Sequence, residues 1–502
     1  MNMVWGRIVA AVWLLCAGLA GAQQEVAPDP PLTSRALVQA RLERAAATID
    51  QARGQGALGD LDAVLKSEYL TPDLSDWAHH LRARALVSAG RGSEAEALAR
   101  QRYAGAASGY NFKSLISILA LRQRWAAGAQ VMLDVPKARI SDLNAVALPV
   151  VETILNGLER AGDKPLYAKV LAKLTSEGYQ GLYGGKTDDT LRLRHIAVLT
   201  GAGQLPQAVQ EAKFLETPAA FVALLADRRF EPLWALPEIA ALTPQLMQER
   251  VRARADALVA RGISHGGEAL EAVRGLRAAG DPLKAAQVAA DAVGPVRRRQ
   301  GGARYAKAIL IERAYAFADL GRVKDAAAVF DVILKQFPEE PIAVKLASAR
   351  VLEGAGQAKA ALAVLETLDM EGLSAPAQAV ALAVTACAQA VLGQKELAAE
   401  ARDELAALGL NAAPAALEAA LCARDDAGAR ALVLAWLSKP ELRGAAVAAL
   451  QLYEEPRTVL PAQLDRRRRL RALIASADVQ AAVFPHGRTM AWSFQRATAV
   501  SY

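Results

Sequence analysis

A glycine followed five residues later by an alanine recurs along this 502-residue chain, at Gly90/Ala95, Gly203/Ala208, Gly280/Ala285, Gly321/Ala326, Gly356/Ala361 and Gly393/Ala398. Successive glycines are 113, 77, 41, 35 and 37 residues apart. Two degenerate occurrences fall inside the longest gap: Arg124-Trp125 before Gly128 and Met132, and Gly162 before Tyr167 and Ala168. A period of this size is one helix–turn–helix unit, too small to bury its own apolar face. Such units are stable only when stacked neighbours supply a core jointly, so the spacing predicts a solenoid.

The stretch 307–338, KAILIERAYAFADLGRVKDAAAVFDVILKQFP, shows the unit most clearly. Ala314 and Phe317 share one face of a first helix, and Ala326, Phe330 and Ile333 share one face of a second. Spacings of three and four place them on facing apolar stripes. Gly321 ends the first helix, where a residue without Cβ takes a left-handed conformation, and Pro338 stops the second. Ala314, Phe317, Gly321, Ala326, Phe330 and Pro338 match the signature positions of the tetratricopeptide repeat (TPR) family, which the unit resembles. The resemblance is good over residues 266–375, fair to about 410 and suggestive before Pro206. It implies an all-α, right-handed superhelical solenoid of antiparallel helix pairs.

Composition agrees. Apolar residues make up 53% of the chain and aromatics 5%, with alanine prominent, which suits close-packed helices better than sandwiches or barrels. The formal charge is +7, but residues 457–502 hold eight Arg against Asp465 and Asp478. The body is therefore nearly neutral, which disfavours a nucleic-acid partner.

In chain order, 1–22 is expected to be a signal peptide. Arg7 precedes the apolar run IVAAVWLLCAGLA, and Ala20-Gly21-Ala22 is a small-residue cleavage pattern. Lipoprotein processing at Cys16 is disfavoured by Leu15 before it; a retained anchor is the alternative. A Pro-rich linker (23–34) precedes a degenerate N-terminal array (35–216), a Pro and aromatic interruption (217–245) that separates or bends the lobes, a C-terminal array (246–456), and a basic capping helix with an aromatic tail (457–502). The segment 176–189 reads as an exposed loop. The uncharged stretch 375–393 has the length of a membrane span, but its alanines and glutamines favour burial in the stack. Cys387 and Cys422, 35 residues apart, read as two small core residues; a disulfide between them is the alternative in an oxidising compartment.

Chemistry-bearing motifs are imitated and not completed. GGKT at 184–187 lacks the first glycine of a phosphate-binding loop, because Gln180 occupies that position. His79, His80, His195, His265 and His486 form no metal-ligand spacing, and there is no GxSxG. Leu246-Met247-Gln248 faintly matches a motif of lytic transglycosylases, without their catalytic Glu-Ser pair. No enzyme, metal or cofactor is expected.

The TPR resemblance implies a concave groove lined by the first helix of each pair. It puts Trp77, His80, Arg84, Arg274, Arg277, Tyr315, Arg350 and Glu353 on that surface, where arginine and aromatic side chains hold a protein or peptide partner. The Lys/Asn clamp by which some members hold C-terminal carboxylates is absent. For the tail, Arg466, Arg467, Arg468, Arg469 and Arg471 are expected on a solvated face, or against anionic lipid. Trp492 and Phe494 lie in an alternating stretch that is a disordered end, a strand packed on the solenoid, or a contact with the outer membrane. The expected role is a non-catalytic adaptor in the bacterial envelope, in envelope assembly or surface-polymer export. The alternative is the periplasmic half of an outer-membrane receptor or exporter.

Overall fold

The computed structural model describes residues 32–495 except 52, 106–107, 177, 181–187, 264, 299–301, 339–340, 456–457 and 459. The signal peptide, most of the linker and the GGKT sequence lie outside the described residues. Two compact units are present, 1–122 and 123–502. The division comes earlier in the chain than the Pro-rich stretch 217–245, which lies inside the second unit.

The first unit contains α1 (Arg35–Asp50), α2 (Gly54–Leu65), α3 (Pro72–Ser88), α4 (Gly92–Gly105) and α5 (Gly109–Leu121). Ser34 caps α1 by accepting from the Leu37 amide. Each helix packs on the next and, in this unit, α1 on α3 and α3 on α5. Alternate helices therefore form a continuous layer. A Cβ on Gly54 would stand 2.4 Å from the Ala85 carbonyl oxygen, so glycine lets α2 close on α3.

The second unit opens with α6 (Trp125–Leu133), α7 (Ile140–Asn144), α8 (Leu148–Arg160), α9 (Lys164–Ser176), α10 (Asp189–Gly201) and α11 (Leu205–Ala212). The interruption supplies short helices α12 (Pro218–Ala226), α13 (Glu231–Trp234) and α14 (Pro237–Ala240). The regular array follows: α15 (Pro244–Ala260), α16 (Gly266–Ala278), α17 (Pro282–Arg297), α18 (Gly302–Asp319), α19 (Val323–Gln336), α20 (Ile342–Gly354), α21 (Ala358–Leu365), α22 (Ala375–Val391) and α23 (Lys395–Ala407). It ends with α24 (Ala413–Cys422), α25 (Asp426–Ser438), α26 (Arg443–Ala449), β1 (Leu452–Glu454), α27 (Pro461–Ala475), α28 (Ala477–Val483) and β2 (Ala491–Gln495). Even-numbered helices from α16 to α24 contact each other in sequence. This is a TPR-like all-α repeat fold.

The turns explain the period. Gly90, Gly162, Gly203, Gly280, Gly321, Gly356 and Gly393 all have φ between 72 and 81°. At Gly321 the next amide, Arg322, reaches back to the Phe317 carbonyl at 2.8 Å, closing a Schellman motif. The same bond follows Gly90, Gly280, Gly356 and Gly393. Two turns carry no glycine: Gln123 (φ 56°) stands five residues before Gly128, and Arg424 (φ 59°) five before Ala429. Asp425 still donates to the Ala420 carbonyl at 2.9 Å. The Gly–Ala pattern passes over the turn at Arg424 and meets the one at Gln123 only as the degenerate unit before Gly128, although the backbone repeats at both.

Ala314, Phe317, Ala326, Phe330 and Ile333 are all buried, and Phe330 meets Tyr315 edge to face with centroids 6.4 Å apart. They belong to one cluster running from α15 to α20. Helix α22 packs on α20, α21, α23 and α24, with Ala379–Ala388 almost wholly buried except Thr385. Among the described residues no single helix is long and apolar enough to cross a membrane. The 176–189 loop departs from expectation at Tyr179, which is buried and donates through its hydroxyl to the Val146 carbonyl at 2.7 Å.

The tail folds back onto the interruption. Arg228 and Arg488 amides donate to the His486 and Ala226 carbonyls, both at 2.9 Å. Arg488 also stacks 4.0 Å from the Trp234 ring centroid. A Cβ on Gly487 would lie 2.3 Å from the Ala226 carbonyl oxygen. Strand β2 then pairs in parallel with β1, Leu452 opposite Ala491 and Tyr453 opposite Trp492.

Left-handed turns set the register, so Gly321→Ala should destabilise by about 1–2 kcal/mol, and its Cβ would also press on the Thr458 methyl at 2.8 Å. Arg424→Gly should be neutral or stabilising by up to about 1 kcal/mol. Urea unfolding measures both; equal losses from the two substitutions would contradict this reading of the turns.

Candidate partner-binding groove

Helices α15 and α16 approach closely because Gly275 faces them: a Cβ there would lie 3.2 Å from the Ala255 Cβ. Beside this contact opens a recess of about 580 Å³ within the second unit. Its apolar lining comes from Val251, Ala255, Leu270, Ala278 and Ala448, and from Tyr453 and Phe494 of the β1–β2 pair. The size falls in the range of ordinary ligand pockets. The sequence reading missed the contribution of β2, because only the return of the tail brings Phe494 beside α15 and α16.

Charged groups line the remainder. Five carboxylates, Asp188, Asp189, Glu216, Glu271 and Glu312, face three guanidinium groups, Arg254, Arg274 and Arg277. Arg254 Nε lies 2.9 Å from Glu271 and 3.4 Å from Glu216. Asp189 Oδ2 accepts the Glu216 and Thr217 amides at 3.0 and 2.7 Å, while burial pushes its carboxyl up. Asp188 caps α10 by accepting from the Thr190 amide. A second recess of about 550 Å³ shares Glu216 and Arg254.

Arg277 is not a surface group. It is 3% exposed, is paired with Glu312, and donates from Nε to Asp319 at 2.8 Å. Burial opposes its charge, but Asp319 and Glu312 more than restore it and push its pKa up. Burial likewise tends to raise Glu312, yet Arg277 and Arg274 hold it below the usual carboxylate range. Arg274 reaches Glu312 at 2.6 Å with a side chain 45% exposed, so it remains at the rim. Tyr315 is buried under the Arg277 guanidinium, 5.3 Å from its ring centroid.

Arg350 is paired with Glu418, and Glu353 is 2% exposed, paired with Arg466 at 3.2 Å. Both therefore lock helices together and do not line an open groove. In the first unit Trp77 and Arg84 are half-buried on α3. His80 Nδ1 sits 3.0 Å from the Ser114 hydroxyl, its ring edge-on to Tyr110. Burial, with Lys113 and Arg84 nearby, pushes its pKa down to about 4. His195 is buried against the Thr175 hydroxyl at 2.8 Å.

The tail residues are also reassigned. Arg466 is buried, Arg467 pairs with Glu455 at 2.8 Å, and Arg469 with Asp426 and Asp465 at 2.9 and 3.1 Å. Arg471 pairs with Glu455 at 3.2 Å; Arg468 is exposed. Trp492 and Phe494 are 2% and 1% exposed and stack on each other, with the Trp492 indole donating to Gln451 at 3.1 Å. Trp492 and Phe494 are therefore used within the protein, and the paired arginines tie α27 to its neighbours, while Arg468 keeps the solvated position expected of it. Cys387 and Cys422 form a disulfide with Cα atoms 5.1 Å apart, correcting their reading as separate core residues.

No family model matches the chain, and no curated protein does. Solved structures of helical-repeat proteins are similar. The apo quorum sensor NprR from B. thuringiensis is 12% identical over 74% of this chain and 98% of its own, with a TM-score of 0.28. Rap protein complexed with competence and sporulation factor is 12% identical, covering 76% and 99%, with a TM-score of 0.28. The pentatricopeptide repeat protein PPR10 from maize is 11% identical, covering 89% and 78%, with a TM-score of 0.26.

The buried and rim arginines should separate on mutation. Arg277→Met removes the buried guanidinium shared by Glu312 and Asp319 and should cost about 3 kcal/mol, whereas Arg274→Ala should cost under about 1 kcal/mol. Denaturant midpoints check this; a milder effect at Arg277 than at Arg274 would contradict the assignment.

Proposed function

We propose that the chain is a non-catalytic adaptor that binds a peptide segment of a protein partner in the groove between α15, α16 and the β1–β2 pair. The supporting observation is the groove's lining: an apolar floor beside a surplus of two carboxylates over guanidinium groups. Asp188 and Asp189 each retain lone pairs beyond the backbone amides they accept. An apolar peptide with a Lys or Arg side chain complements that lining. Arg277 and Glu312 neutralise each other within it, so carboxylate recognition by Arg277, as the family resemblance implied, is not part of the proposal.

The proposal places the protein outside the cytoplasm, in the bacterial envelope. Two features support this: the signal-like sequence of residues 1–22 and the Cys387–Cys422 disulfide, since disulfides form readily in oxidising compartments. A role in envelope assembly or surface-polymer export belongs to the same reading.

Fluorescence anisotropy with synthetic peptides tests it, using full chain secreted by a bacterial host. Peptides pairing a cationic residue with an apolar one should bind, with affinity falling as salt rises. Leu270→Arg should weaken binding at least about tenfold, equivalent to about 1.4 kcal/mol. Preference for acidic peptides, or binding unchanged by Leu270→Arg, would overturn the groove assignment. The chain recovered from the periplasm should begin at Gln23; recovery in the cytoplasm alone would remove the exported location.

A further inference from the structure

The sulfurs of Cys387 and Cys422 lie beside a buried guanidinium. Arg466 of α27 reaches across to α22 and α24, and its Nη1 lies 3.0 Å from Cys422 Sγ and 3.4 Å from Cys387 Sγ. The shorter of these is closer than its contacts to Glu353 and Glu418, at 3.2 and 3.3 Å. A neutral disulfide gains little from such a cation. A thiolate in the same place gains a great deal, because the charge sits in a protected, low-dielectric site.

The two sulfurs are unequally accessible. Cys387 is 1% exposed, while Cys422, at the end of α24, is partly exposed. The charges around them are Arg350 and Glu353 on α20, Glu418 on α24 and Arg466 on α27. Burial raises the Glu353 carboxyl against the pull of Arg466, and the two guanidinium groups of the cluster face two carboxylates and both sulfurs.

From this arrangement we infer that Cys387–Cys422 is a thiol–disulfide exchange site, attacked at Cys422 by an external thiol. In the first step the incoming thiolate bonds to Cys422 Sγ. The bond between the two cysteines breaks, and its electron pair leaves on Cys387 Sγ, where Arg466 stabilises the thiolate. With a dithiol reductant, its second thiolate then attacks the mixed disulfide and releases Cys422. The dithiol ends as a disulfide, and two electrons have passed to the cysteine pair. A leaving thiol of lower pKa departs faster, which is the role assigned to Arg466. Arg466 acts through the sulfur and is a positioning residue.

The test uses the oxidised full chain under native conditions. Incubation with reduced glutathione, followed by acid quenching and peptide mass mapping, should find glutathione on Cys422. Dithiothreitol should reduce the pair without denaturant, and Arg466→Met should slow that step by about threefold or more for each unit that the leaving thiol's pKa rises. The variant Cys422→Ser, checked for native helicity, leaves Cys387 as a free thiol. Its pKa, measured from the pH dependence of alkylation, should fall below the ordinary value of about 8.5. Arg466→Lys in that background should preserve the depression and Arg466→Met should remove it. Glutathione on Cys387, reduction only in denaturant, or a Cys387 pKa at or above the ordinary value would each overturn the proposal. If Arg466→Met does not fold, the adduct position and the Cys387 pKa decide it alone.

Discussion

The core clusters of the second unit draw on more than one helix pair: the one around Phe330 runs from α15 to α20, and the one around Ala386 joins α22, α23 and α24. Alanine makes that possible. With Ala314, Ala326, Ala381, Ala386 and Ala419 almost inaccessible, backbones approach until alternate helices touch, and large residues such as Phe330 fill only the gaps. Burial of this kind is non-directional, so something else must fix the register. That is supplied by the left-handed turns and their reach-back hydrogen bonds, repeated along the array.

Close approach also determines where charges go. Once alternate helices touch, residues one repeat apart become neighbours. Arg277 meets Glu312 at a separation of 35 residues, Arg274 meets the same carboxylate at 38, and His80 meets Ser114 at 34. Cys387 and Cys422 meet at 35. A desolvated guanidinium is tolerated in such a layer only because a carboxylate faces it, and removing either partner strands the other. Arg277, Arg350 and Glu353, which a family template assigns to an open concave surface, therefore serve to tie helices together.

Helix pairs, turns and the Phe330 core were legible because they depend on local spacing. The turns at Gln123 and Arg424 were not, since a left-handed residue other than glycine carries no compositional mark. The disulfide was open as an alternative but not decidable from spacing, because only the close approach of α22 and α24 in this alanine-rich layer brings the Cα atoms to 5.1 Å. For Arg274 and Arg277 the sequence carries a signal: an acidic residue, Glu312, about one repeat downstream on the same face. The groove was legible only in part: Arg274 and Arg277 do line it, and a strand packed on the solenoid was one reading of the tail, but its place beside α15 and α16 was not. That place depends on Phe494 meeting α15 and α16, a contact spanning more than 200 residues that no local pattern encodes.

Shared burial makes one strong claim about energetics: damage at one pair spreads to its neighbours. Hydrogen exchange on the full chain carrying Phe330→Ala, compared with wild type, measures this most directly. The account predicts lost protection in α17, α18 and α20 as well as α19, because the side chain belongs to a cluster that spans them. Loss confined to α19, with its neighbours protected as before, would contradict it.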